Sequence, residues 1–66
     1  MDFVIMQEQG DVVILRGINT GTYYMAGKTD NGWYVFKKRQ FGEDWISFPR
    51  VKFEPSVVQE LGLDSR

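Results

Sequence analysis

Sixty-six residues with a formal net charge of −1, 15% aromatics and neither cysteine nor histidine restrict this chain to one small domain, 1–66, at a size where folding buries only roughly 60% of the surface. Within a single chain, the missing residue types exclude disulfides, thiolate zinc sites, zinc fingers and Ser-His or Cys-His catalysis. No apolar run is long enough for a membrane-spanning helix and no basic segment precedes an apolar one at the N-terminus, so the expectation is a soluble, cytoplasmic protein.

In chain order, Phe3 to Met6 is apolar and is followed by Gln7-Glu8-Gln9-Gly10; Val12 to Arg16 is again β-branched and apolar. The two read as a hairpin, and their continuous apolarity predicts burial on both sides or at a barrel seam. Gly17 to Gly21 is a turn by composition. Thr22 to Lys28 and Trp33 to Arg39 flank Asp30-Asn31-Gly32, a strong hairpin signal. Gln40 to Asp44 then leads to a fifth run, Trp45 to Phe53, in which Pro49 demands an edge or a bulge because proline cannot donate to a ladder. At the end, Glu54-Pro55-Ser56 opens a short helix with Val57, Val58 and Leu61 on one stripe, Gly62 stops it, and Leu63 to Arg66 reads as a frayed tail. The outline is mostly β: a small five-stranded antiparallel SH3-like barrel, or a strongly curved sheet, with a short C-terminal helix.

The central hairpin carries the candidate site. If Asn31 and Gly32 make the turn, Tyr24 faces Arg39 and Ala26 faces Lys37; a four-residue loop from Thr29 to Gly32 slides the pairing by two and preserves the faces. One face then holds Tyr24, Ala26, Lys28, Trp33, Val35, Lys37 and Arg39, and the other Tyr23, Met25, Gly27, Tyr34, Phe36 and Lys38. The second has fewer charges and is the expected core face. Keeping Phe36 opposite Phe48 would bring Ile46 and Phe48 to the core and line Trp45 up with Arg39 outside, and a one-residue slip would reverse these faces. Tyr24, Lys28, Trp33, Lys37, Arg39 and Trp45 therefore form the expected site, with rings to stack on bases and cations to meet phosphates. The alternative for Tyr24 and Trp33 is cross-strand packing beneath the stems of Lys37 and Arg39.

Charge is unevenly distributed. Arg16, Lys28, Lys37, Lys38, Arg39, Arg50 and Lys52 fall in the middle of the chain, while Asp2, Glu8 and Asp11 occupy one end and Glu54, Glu60 and Asp64 the other. A local positive field can steer an anionic partner despite a near-neutral total. Glu43-Asp44 and Asp30 lie in loops without the enclosure that acid–base chemistry needs, the oxygen spacing fits no calcium loop, and no glycine-rich phosphate loop opens a helix. The expectation is a non-enzymatic binding module without metal or cofactor. The order of hairpin, three-stranded sheet and C-terminal helix resembles, in architecture, the small archaeal chromatin proteins that lay a triple-stranded sheet on duplex DNA. Tyr23 to Leu61 is similar in pattern to single-strand binders of the transcriptional-coactivator and purine-element type. Both resemblances imply nucleic acid as the partner. A protein-interaction module, such as a phage- or plasmid-type modulator of a host protein, is the alternative, and Trp45 to Phe53 or Phe3 to Met6 could pair two copies edge to edge into a homodimer.

Overall fold

The structure, a computed structural model, describes residues 2–65, with the side chains of Phe48 and Ser65 outside the description. One antiparallel sheet runs in chain order through β1 (Phe3–Gln9), β2 (Val12–Gly17), β3 (Tyr23–Thr29), β4 (Gly32–Arg39) and β5 (Ile46–Lys52), followed by α1 (Pro55–Leu61) and a 3-10 turn, Leu63–Ser65. No ladder joins β1 to β5, so the sheet is open. It is nevertheless strongly curved. In a flat sheet of this width the edge strands would stand roughly 19 Å apart, whereas the ring of Phe3 in β1 meets that of Phe53, just beyond β5, at 6.0 Å between centroids. The face towards which the sheet curls is the core face, and the opposite face is convex. Among the described residues, no helix is long and apolar enough to cross a membrane.

Val13, Leu15, Ala26, Trp33 and Val35 bury their side chains against Val58 and Leu61 of α1 and against Leu63, and Phe3, Ile5, Tyr24, Phe53 and Val57 pack at the margin. Pro55 at the start of α1 loses no hydrogen bond there, and Gly62 ends it in the left-handed conformation at φ 70°, returning its N–H to the carbonyls of Gln59 and Val58. The expected frayed tail is corrected: Leu63 is fully buried, because the turn after Gly62 brings it back under the sheet.

Three further expectations change. The first strand continues to Gln9, with Met6 as a bulge between Ile5 and Gln7. Burial in the first hairpin alternates and is one-sided: Val13 and Leu15 are sealed while Val4, Met6 and Val12 are exposed. Ile46, expected in the core, is 53% exposed. Its partner Lys38 is exposed as well, and the ladder skips from Val35↔Val51 to Lys37↔Ser47. That skip contains Pro49, so the bulge demanded by the proline is present on an edge strand. It also leaves Phe36 without a single partner on β5, and the expected inward placement of Phe48 lies outside the described side chains.

The central hairpin inverts the expected faces. Thr29 pairs with Gly32, Lys28 with Trp33 and Ala26 with Val35, the register of the four-residue alternative. Among the described residues none other than glycine has positive φ, which rules out a type I′ turn centred on Asn31-Gly32. The Thr29 hydroxyl instead accepts from the Asn31 N–H at 3.1 Å and donates to the Gly32 carbonyl at 3.0 Å. Beyond Ala26 a bulge at Phe36 shifts the pairing to Met25↔Lys37, Tyr24↔Lys38 and Tyr23↔Arg39. One extra residue reverses the pleat from there on. Trp33, only 2% exposed, is in the core with Ala26 and Val35, while Lys37 and Arg39 cross to the other face.

Candidate sheet-face interface

The convex face is assembled by register. Residues paired across an antiparallel ladder point to the same side, which gives three rows: Val4, Arg16, Tyr23 and Arg39; Gln7, Ile14, Met25, Lys37 and Ser47; and Gln9, Val12, Gly27, Tyr34 and Lys52. Phe36 joins the third row. Its ring carbon Cε1 lies 3.3 Å from where a Cβ on Gly27 would stand, so the missing side chain makes room for the ring. Tyr23, Tyr34 and Phe36 are half-buried.

The first row has the most ordered geometry. Arg16 and Arg39 flank Tyr23 on neighbouring strands. The Arg39 guanidinium carbon lies 4.9 Å from the Tyr23 ring centroid and 5.3 Å from that of Trp45, and Nη1 donates to the Glu43 carbonyl at 3.3 Å. Gln40 Nε2 donates to the hydroxyl of buried Thr22 at 2.8 Å, tying the start of the following loop to the start of β3. Arg39 is thus held by two rings and a carbonyl before any ligand arrives. Pre-ordering lowers the entropy lost when an anion binds.

The face is electrostatically one-sided. Glu8 is the sole carboxylate in any strand, and it pairs with Val13 on the core side. Every other aspartate and glutamate falls in a loop, a turn or α1, whereas Arg16, Lys28, Lys37, Lys38, Arg39, Arg50 and Lys52 are all strand residues. Arg16, Lys37, Arg39 and Lys52 project on the convex face with no carboxylate among its strand positions.

Of the residues expected to form the site, Lys37, Arg39 and Trp45 come together on this face. Trp33 and Tyr24 do not: the first is buried, and the second packs edge-on against Phe3 at 5.7 Å on the core side. Lys28 pairs with Trp33 and is exposed at the hairpin end of the core side. Arg16, Tyr23, Tyr34, Phe36 and Lys52 are the members that sequence reasoning left out. The alternation of Arg16 with buried Val13 and Leu15 was the available signal for the outward face of β2. Among the described residues no cluster of acidic side chains could hold a metal ion. Compared with protein-family models, curated proteins and solved structures, the chain matches none.

Proposed function

We propose that this chain is a small non-enzymatic binding module that holds nucleic acid on the convex face of its sheet. In this reading the curled meander is a small SH3-like barrel left open at its β1/β5 seam. The observation that carries the proposal is the segregation of charge: four cations beside three half-exposed rings, on a face whose strand positions have no carboxylate. Cations without acidic neighbours attract a polyanion locally even at a net charge of −1. Rings on the same face offer stacking worth roughly 1–3 kcal/mol per base, so attraction and adhesion act on one surface.

Fluorescence anisotropy with a labelled oligonucleotide at low salt tests this. The wild type should bind, and Arg39→Ala should weaken binding about tenfold through loss of the ordered guanidinium. Undetectable binding by the wild type, or unchanged binding by the folded Lys37→Ala/Arg39→Ala variant, rejects the assignment.

A further inference from the structure

The convex face contains a depression of about 260 Å³ lined by Gln7, Gln9, Val12, Ile14 and Met25. Its lining comes from three adjacent strands. Ile14 stands between Gln7 and Met25 in one row, and Val12 stands beside Gln9 in the next. The aliphatic side chains and the thioether supply an apolar floor, and two carboxamides stand on the β1 side. Neither carboxamide makes a hydrogen bond to another described residue.

We propose that this depression seats one unpaired nucleobase, its flat face on Val12, Ile14 and Met25 and its polar edge against Gln7 and Gln9. The inference rests on the nucleic-acid reading and deepens it to single strands. An apolar floor with donors and acceptors on one side is the chemistry a base requires: a π-face to cover and an edge to hydrogen-bond. A carboxamide has both donor and acceptor and can turn over, so the seat accepts any base. The volume is below the roughly 300–1,000 Å³ of sites for drug-sized ligands, which suits a single planar ring system.

Backbone phosphates on either side of a seated base would meet cations. Lys37 is Met25's partner on the next strand, about 4.8 Å away in the sheet, and Arg16 is two residues along β2 from Ile14, roughly 7 Å away. A duplex cannot use this seat, because its bases are covered above and below by stacking and their Watson–Crick edges are occupied by pairing. The curvature adds to this. A convex face touches a rigid cylinder over a narrow strip, whereas a single strand can drape across it.

The experiment compares a single strand of about 12 nucleotides with a hairpin duplex of the same composition at low salt. The wild type should bind the single strand about tenfold more tightly, and Gln7→Ala/Gln9→Ala should lose about tenfold on the single strand while leaving duplex binding unchanged. Both glutamines are exposed, so circular dichroism should report an intact fold. The Met25 methyl resonance should shift when the single strand is added. Wild-type affinity in the double variant, or an unmoved Met25 methyl, overturns the base seat and leaves binding by the face standing. Absence of binding to either oligonucleotide overturns the underlying reading. A Met25 shift that follows protein concentration alone would mean that a second copy occupies the depression, and also overturns the proposal.

Discussion

Trp33 has an indole N–H that is buried and has no hydrogen-bond partner among the described residues, so its large apolar ring is retained at the expense of an unsatisfied donor. Removing the whole ring is expected to cost about 3–5 kcal/mol, against a total stability of about 3–10 kcal/mol for a chain of this length. Trp33→Ala should therefore lose between about a third and all of the stability. Trp33→Phe is expected within about 1 kcal/mol of wild type, since losing the orphaned donor relieves roughly 1–3 kcal/mol and offsets the lost area. Urea denaturation distinguishes the two, and equal damage from both would show that the indole N–H costs nothing. Adjacent tyrosines give a second contrast. Tyr24 packs against Phe3 on the core side and Tyr23 lies under Arg39 on the convex side. Tyr24→Ala should lower the urea midpoint with little direct effect on oligonucleotide affinity, while Tyr23→Ala should do the reverse, losing roughly 1–3 kcal/mol of binding. A shared phenotype would mean that the two side chains do not report on separate faces. Which neighbour belongs to which face was not readable from either residue alone, because tyrosine serves equally well half-buried or in the core.

At the scale of elements, one bulge decided the location of the site. Counting charges along an unbroken pleat assigns Lys37 and Arg39 to the face of Trp33, which makes that face look wet. The extra residue at Phe36 moves both cations across and leaves Ala26, Trp33 and Val35 as an apolar patch. In β2 only Arg16 marks the outward side, since Val12 to Leu15 is apolar on both sides and by itself favours neither. Helix α1 was legible, because its proline start, its Val57, Val58, Leu61 stripe and its glycine stop are local signals. The role of Leu63 was not, because only the packed turn brings it beneath the sheet. Leu63→Ala is expected to cost about 2–5 kcal/mol, and Gly62→Ala about 1 kcal/mol for forcing a Cβ into the left-handed region. On thermal denaturation the latter corresponds to a fall of about 4–8 °C. A larger loss at Gly62 than at Leu63 would contradict this placement of the core.

For the whole molecule, net charge conceals how the charges are distributed over the fold. A chain at −1 would be expected to repel a polyanion weakly, yet the strands gather the cations and the loops and helix hold the acids. If Arg16, Lys37, Arg39 and Lys52 act together on a single strand, log K should fall against log salt with a slope of about −3, and Lys37→Ala should reduce its magnitude by about 0.7. A slope near zero would mean that the cationic face is not the contact surface. By itself the amino-acid order determined a small, mostly β chain of five strands and a closing helix, with proline at an edge bulge and the middle of the chain cationic, because turn chemistry, alternation and capping act between near neighbours. Tertiary structure alone decided which side of the sheet the helix covers and therefore which rings and cations remain outside. A single inserted residue reverses a pleat, and its position is fixed by the fit of neighbouring strands and the helix around Trp33, not by the residues beside it in the chain.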